Sequence, residues 1–398
     1  MMLKSMIINR LRLLLVVMAY TLAVHAGNDE MPIIGYWGVP ENNTSEENFR
    51  VMSECGFTVS LFPYSSTKQL VRACRAAVKY GVRVLGQCPE MTKAPAVTAL
   101  ALKRERGFFG YFIQDEPSVV EIRSRQKEIE RLKEVDNTHC FYINLLPYSD
   151  PKQILPAAKA RTYPEYLRAA SATSCQQLSF DFYPIQTSGL RETWYHTLEM
   201  VRQESLTSGK PFWGFVLSVP HAKYPQPTMA SLRLQIYSNL AYGAQAIQYF
   251  TYWTPGKNPQ FDFHDAPVDV NGKKTRTYAL VQQMNQELKS VARLFYGGHI
   301  RAVHHLGVVS QGASRLTVAP VNLKQLKVTG KAGAVVSELE KDGHLYAVIV
   351  NKDYKKNMRV DLQTLNNLPR YVNKSLQEEP IKSSYTVLPG DLLLLKLR

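Results

Sequence analysis

Apolar residues in this chain come in short unbroken runs rather than in strict alternation. They occupy Ile33–Gly38, Phe57–Phe62, Val82–Gln87, Phe108–Gln114, Cys140–Leu145, Leu178–Tyr183, Pro211–Ser218 and Ala246–Tyr252. A strand covered on both faces reads this way, because neither face is left to water. Between the runs the spacing turns helical. In Lys68–Lys79 the residues Leu70, Val71, Cys74, Ala77 and Val78 fall on one side, and Val119–Val135, Thr193–Ser205 and Met229–Tyr242 continue the pattern. Eight strands alternating with about eight helices over about 260 residues predict an α/β protein, a (β/α)8 TIM barrel. A doubly wound open sheet is the alternative; it usually has fewer strands, and no GxGxxG follows the first run.

The pattern changes after Gly297. Short strand-like runs follow at Arg315–Val318, Val335–Leu339, Leu345–Val350 and Met358–Leu362, with a closing Tyr385–Leu397 that turns at Pro389-Gly390-Asp391. β-Branched residues bounded by Asn, Asp and Lys predict antiparallel strands. The expected organisation is therefore a barrel over residues 27–297 and a small all-β sandwich domain over 298–398. Before the barrel, Lys4, Arg10 and Arg12 precede an apolar run from Leu13 to Val24 and the small-residue site Val24-His25-Ala26. Residues 1–26 have the form of a secretory signal peptide, which implies a secreted protein of the periplasm or cell surface with no stable membrane insertion once it is removed.

Composition alters this picture little. The formal charge of +15 falls to +12 once Lys4, Arg10 and Arg12 are set aside, but the basic residues are scattered and not clustered with aromatics. They read as a solvated surface, not as a nucleic-acid footprint. Five cysteines, Cys55, Cys74, Cys88, Cys140 and Cys175, show no CxxC and no metal spacing, so neither a metal nor another cofactor is expected.

The stretch Gly107-Phe108-Phe109-Gly110-Tyr111-Phe112-Ile113-Gln114-Asp115-Glu116-Pro117 is the clearest chemical feature. A buried strand stops in carboxylates, and the proline, with no N–H to donate, ends the ladder and suits the first turn of a helix. Ligands bind outside the carboxyl ends of parallel strands, so Glu116 is placed where chemistry is expected. The same register brings Tyr36, Trp37, Gln87, Gln114, Asp115, Asn144, Asp181, Tyr183, His221 and Trp253 to one rim. Aromatic faces stack on sugar C–H groups, and amides and carboxylates bind hydroxyls, so the set suits a polyhydroxylated ligand. The lone His221 makes no metal site, and no Gly-x-Ser-x-Gly elbow occurs.

Gln114-Asp115-Glu116-Pro117 at the end of a fourth barrel strand resembles the Asn-Glu-Pro acid/base motif of clan A glycoside hydrolases, with Asp115 in place of the Asn. The segment from Leu240 to Trp253 and the tail motifs Asn351-Lys352-Asp353 and Leu388-Pro389-Gly390-Asp391 resemble secreted Bacteroidetes-type barrels similar to the family 42 β-galactosidases. The resemblance implies a glycoside hydrolase with Glu116 as proton donor and an oligosaccharide or polysaccharide substrate. It departs at the second carboxylate, because clan A enzymes place a nucleophilic Glu at the end of the seventh strand. Here that run reads Phe212-Trp213-Gly214-Phe215-Val216-Leu217-Ser218-Val219-Pro220-His221, without an acid. Asp181 is the first candidate to replace it, with Glu90 or Asp115 next. The alternative is a non-catalytic glycan-binding barrel that lacks the second carboxylate.

Overall fold

A computed structural model describes residues 30–398. The expected leader, residues 1–26, lies outside the described residues. Eight strands form one parallel sheet: β1 (Ile33–Tyr36), β2 (Val59–Pro63), β3 (Arg83–Gln87), β4 (Phe108–Asp115), β5 (Cys140–Asn144), β6 (Leu178–Phe180), β7 (Phe212–Leu217) and β8 (Ala246–Phe250). Their order is β5-β4-β3-β2-β1-β8-β7-β6. The two edges then meet, because the Leu145 N–H donates to the Ser179 carbonyl at 2.8 Å and Leu145 bridges Phe180 in parallel. The sheet is thereby closed into a (β/α)8 barrel.

One main helix follows each strand: α1 (Glu46–Glu54), α2 (Thr67–Ala77), α3 (Pro95–Leu102), α4 (Val119–Lys133), α5 (Tyr163–Ser171), α6 (Thr193–Ser208), α7 (Met229–Tyr242) and α8 (Arg276–Phe295). Alternate strand residues serve two cores. Ile34, Tyr36, Leu61, Leu85, Phe112, Tyr142, Trp213 and Phe215 fill the lumen. Ile33, Val84, Ile113, Phe141, Ile143 and Val216 pack against the helices. Both sets are apolar, which is why the runs in the sequence are unbroken.

The tail carries β9 (His299–Leu306), β10 (Leu323–Val328), β11 (Ala334–Lys341), β12 (His344–Asn351), β13 (Met358–Thr364), β14 (Arg370–Val372), β15 (Glu378–Pro380), β16 (Ser384–Val387) and β17 (Leu392–Lys396). These make an antiparallel six-stranded sheet, β9-β11-β12-β17-β14-β15, and a three-stranded one, β10-β13-β16. The large sheet is apolar on both sides. Val336, Ile349 and Leu393 face the small sheet, and Val335, Val348 and Leu394 join the core of the barrel. Helix α7 lies between barrel and sheet and is buried along nearly its whole length, so it has no polar face.

The expectation of a strand at Arg315–Val318 is corrected: only Arg315 bridges, to His305, and Val318 is solvent-exposed. The register there is taken by β9, whose alternating histidines and leucine gave no unbroken apolar run. Two polar clusters pin the tail to the barrel. Glu287 of α8 binds Arg233 of α7 at 2.6 Å and Lys374 at 2.7 Å, accepts from the Tyr237 hydroxyl, and is joined through Lys374 to Asp391 at 2.7 Å. Nearby, the Tyr242 hydroxyl donates to Glu199 at 2.7 Å and meets His305 Nε2 at 2.9 Å, while Lys352 Nζ lies 3.2 Å from His305 Nδ1.

Candidate active site

The site begins with an irregularity in β4. Phe112 pairs with Tyr142, but the next pairs are Gln114 with Ile143 and Asp115 with Asn144, so β4 holds one residue more than its partner. Such a bulge reverses the in-and-out alternation beyond it. Ile113 lies in the helix-facing core, as does Ile143, and Gln114 follows Ile143 outward. Its side chain accepts from Arg125 at 2.7 Å and donates to Glu121 at 3.2 Å, both on α4. The expectation that Gln114 lines the mouth is therefore corrected. Asp115 turns inward in its place. Gln87, also expected at the rim, holds the bulge: its Nε2 donates to the Ile113 carbonyl at 3.2 Å.

Glu116 follows in the left-handed region, with φ of 45°. A residue with a Cβ pays for that conformation by about 1 kcal/mol or more, and the surroundings must impose it. They do so from three sides. The Glu116 N–H donates to the Asn144 carbonyl at 2.8 Å, the Pro117 carbonyl accepts from the Tyr166 hydroxyl at 2.7 Å, and Ser118 caps α4 in a reciprocal box with Glu121.

Asn144 gathers the acids. Its Nδ2 donates to Asp115 Oδ1 at 3.0 Å and to Asp181 Oδ1 at 3.1 Å. Its Oδ1 accepts from Ser179 Oγ at 3.0 Å, and Ser179 in turn accepts from Gln248 Nε2 at 2.8 Å. The Tyr142 hydroxyl donates to Gln248 Oε1 at 2.7 Å and completes this buried lumen network. The Tyr36 hydroxyl reaches Asp115, and that of Tyr183 reaches Asp181.

Asp115, Glu116 and Asp181 thus form one carboxyl cluster. Glu116 and Asp181 lie close enough to share a hydrogen bond. Asp115 and Glu116 open to solvent on the mouth side, yet protein beneath them removes enough water to matter. Burial, then the charge of Asp115, raises Glu116 to about 6 against the opposing bond from Asp181. Burial, then the charges of Glu116 and Asp115, raises Asp181 well above the usual range. Burial also raises Asp115, opposed by its bonds from Tyr36 and Asn144. Like charges this close do not both ionise readily, so once one acid of the Glu116–Asp181 pair has ionised the two share the remaining proton.

Asp181 is in the mouth as expected, but beside Glu116. Glycosidase carboxyls normally stand about 5–5.5 Å apart for retention or roughly 6.5–9.5 Å for inversion, and a hydrogen-bonded pair is closer than either. Glu90 is elsewhere, accepting from the Thr67 N–H at 3.1 Å at the start of α2. Trp37 sits half-buried at the rim against Phe62, with ring centroids 5.0 Å apart. Trp253 is corrected: it is 3% exposed, with its ring against Gly272, so its face is covered by the chain itself. The β7 end carries no acid, and Ser218 Oγ there donates to the Thr251 carbonyl at 2.8 Å. His221 stands on the rim beyond it, its ring 4.6 Å from Phe263 and 4.8 Å from Tyr224.

Sequence reasoning missed Tyr166, Ser179 and Gln248. The last two had a signal, since each is a polar residue inside an apolar run, where burial demands a hydrogen-bond partner. Among the described residues no group of three or more His, Cys, Asp or Glu is arranged to hold a metal.

A carboxyl whose pKa is raised by burial, at the carboxyl end of β4 in a (β/α)8 barrel, is the arrangement that a resemblance to clan A glycoside hydrolases implies. Residues 126–291 match the family model described as Glyco_hydro_42, beta-galactosidase. The matched segment runs from α4 to α8, includes Asp181 and His221, and begins after Glu116. No curated protein matches the chain in sequence. Similar solved structures include a catalytic mutant of Gan42B, a GH42 β-galactosidase from G. stearothermophilus, with TM-score 0.64, 9% identity, and coverage of 93% of this chain and 98% of that one. The β-galactosidases from Bacillus circulans sp. alkalophilus and Rahnella sp. R3 give TM-scores of 0.60 and 0.59, each at 10% identity over 94% of this chain and 100% and 99% of theirs. At such identities the likeness establishes the barrel followed by a β-domain. The family match makes the chain similar to the family 42 β-galactosidases over residues 126–291.

The shared proton has a cost that can be measured. An acid whose folded pKa is raised stabilises the fold fully at pH below its unfolded value and loses that contribution as pH rises through the folded one. Asp181→Asn keeps the acceptor for Asn144 and removes the charge. It is expected to raise Tm at pH 8 by about 2–4 °C, for about 1 kcal/mol, and to change it little at pH 4. Thermal melts at the two pH values check this.

Proposed function

We propose that this protein hydrolyses β-galactosides or closely related β-glycosides, with Glu116 protonating the leaving oxygen. The observation that carries the proposal is the position of Glu116: fixed at a strand-to-helix corner over the barrel mouth, partly desolvated by the protein beneath it, and within hydrogen-bond reach of Asp181. A general acid works best when its pKa lies near the working pH, and burial beside two other acids brings this glutamate there. Asp115 occupies the place of a sugar-binding amide in the motif, and Asn144 and Tyr36 orient it towards ligand hydroxyls. Trp37 stands half-buried at the same rim, and the Tyr183 hydroxyl reaches Asp181.

The family match supports the choice of a galactoside. We place the activity outside the cytoplasm on the strength of residues 1–26. All five cysteines are free, and all but Cys140 are buried, where oxidants have little access to them.

The test is the pH dependence of kcat/KM for a β-galactoside across a panel of glycosides. Only the protonated Glu116 donates, so the rate is expected to fall as pH rises through about 6. A rate independent of pH from 5 to 8 removes Glu116 from the role. No turnover of any β-glycoside, together with retained oligosaccharide binding, establishes the non-catalytic barrel instead.

A further inference from the structure

In a parallel pair of strands, a residue whose N–H donates to a carbonyl of its neighbour accepts, through its own carbonyl, from the N–H two residues further along that neighbour. At the end of β4 this rhythm is broken. The Glu116 N–H donates to the Asn144 carbonyl at 2.8 Å, so the next rung would run from the Leu146 N–H to the Glu116 carbonyl. The Leu146 N–H donates instead to the Tyr166 hydroxyl at 3.2 Å, and that hydroxyl donates to the Pro117 carbonyl at 2.7 Å. One side-chain oxygen is thus inserted into the ladder where the backbone of Glu116, with φ of 45°, has turned out of the strand.

Helix α5 is built to deliver that oxygen. Tyr163, Tyr166, Leu167 and Ala170 are its buried positions, at the i, i+3, i+4, i+7 spacing of one helix face. Thr162 caps the helix by accepting from the Glu165 N–H, which fixes the first turn, and the rings of Tyr163 and Tyr166 pack with centroids 5.9 Å apart. Tyr163 donates its own hydroxyl to the Leu146 carbonyl at 2.8 Å, so both polar groups of Leu146 are held from α5. The residue before it, Leu145, donates to the Ser179 carbonyl at 2.8 Å and accepts from the Asp181 N–H at 3.4 Å. The Tyr166 hydroxyl therefore joins the segment that carries Glu116 to the segment against which Asp181 is placed.

We propose that Tyr166 is a positioning residue for the acid: its hydroxyl, occupying the rung between Leu146 and Pro117, holds Glu116 in the left-handed turn that keeps its carboxyl against Asp181. This rests on Glu116 as the proton donor. Without the hydroxyl, the Leu146 N–H and the Pro117 carbonyl are buried and unpaired. Leu146 regains a partner when Glu116 relaxes to extended backbone and its carbonyl takes up the rung, and that relaxation swings the carboxyl away from Asp181. The titratable groups facing Glu116 are Asp115 on its own strand, Asp181 and Tyr183 after β6, and Tyr163 and Tyr166 on α5. Burial raises all three tyrosines, so they keep their protons and only the two other acids change charge beside it.

The test reads the coupling between the two carboxyls, with and without the hydroxyl. The Glu116 titration is followed by NMR in protein labelled with carbon-13 at the glutamate carboxyls and is assigned by its loss in Glu116→Gln. In the wild type, Asp181→Asn is expected to move the Glu116 midpoint by about one pH unit, because acids within hydrogen-bond reach titrate as a pair. In Tyr166→Phe, which keeps the ring, the same Asp181→Asn change is expected to move it by less than about a third of that. Tyr163→Phe removes a hydroxyl from the same helix face without touching the β4 corner, so it should keep the coupling; thermal melts of both variants show that they fold. Tyr166→Phe is also expected to lower kcat on an alkyl β-galactoside by about 10–10²-fold with KM within about twofold, and to lower it far less on the dinitrophenyl galactoside. No coupling in the wild type, full coupling in Tyr166→Phe, or equal loss of it in Tyr163→Phe overturns the proposal and leaves Glu116 as acid untouched. A wild type that shows the coupling, loses it in Tyr166→Phe and yet turns over no β-glycoside overturns the acid and leaves Tyr166 as the residue that positions Glu116.

Discussion

Glu116→Gln is expected to lower kcat/KM for a disaccharide or alkyl β-galactoside by about 10²–10⁴-fold, or roughly 3–5 kcal/mol of transition-state stabilisation. The amide has the shape of the acid and can still meet Asp181, so the fold and the ligand contacts of Asp115 and Asn144 are retained. What it lacks is an ionisable proton for the leaving oxygen. The loss should therefore depend on the leaving group. A dinitrophenolate departs without help, so the aryl galactoside that carries it should lose far less than the alkyl one. The fall in rate above pH about 6 should also vanish, because the group that titrates there has gone. Steady-state kinetics on two leaving groups at several pH values reads all three effects. An equal loss on both substrates with a rise in KM would make Glu116 a binding group instead.

Glu287→Ala is the substitution expected to weaken the fold most. The glutamate sits where α7, α8 and the tail meet, bonded to Arg233, Lys374 and Tyr237. Burial opposes its ionisation, but those three bonds outweigh burial and hold its pKa down to about 2. Removing it leaves two cations half-buried with only Asp391 between them. Breaking a pair from one side is costly because the survivor stays desolvated, and the expected loss is about 3 kcal/mol, on the order of 5 °C in Tm. The sign of the pH dependence follows from the lowered pKa. The contribution is present above the ordinary glutamate range and lost as pH falls towards 2, so wild type and variant should converge in acid. Thermal melts from pH 3 to 8 check both statements.

The two substitutions separate what the barrel is made of from what it does. Glu287 is ionised, paired and stabilising. Glu116 and Asp181 are crowded, desolvated and held in a state that opposes stability near neutral pH. A glutamate at φ of 45° beside two other acids persists only because Asn144, Tyr166 and the Ser118 cap over-determine it.

The unbroken apolar runs carried the barrel, because burial on both faces of a parallel strand leaves a composition that no solvated strand shares. The Asp-Glu-Pro corner was equally legible, since proline ends a ladder wherever it falls. The large tail sheet could also be read, from Leu345–Val350 and Leu392–Leu395. Sequence did not show which way the residues before Glu116 point. Strict alternation put Gln114 in the mouth, and a one-residue bulge, invisible in composition, exchanged it for Asp115. Nor did it show that Trp253 is covered or that Asp181 stands beside Glu116, because both depend on loops brought together from distant parts of the chain. Local pattern determines which residues are buried and where strands end, through short-range sterics and the exclusion of water. Which carboxyl stands within hydrogen-bond reach of which is decided by distances of a few ångströms that exist only once the barrel has closed.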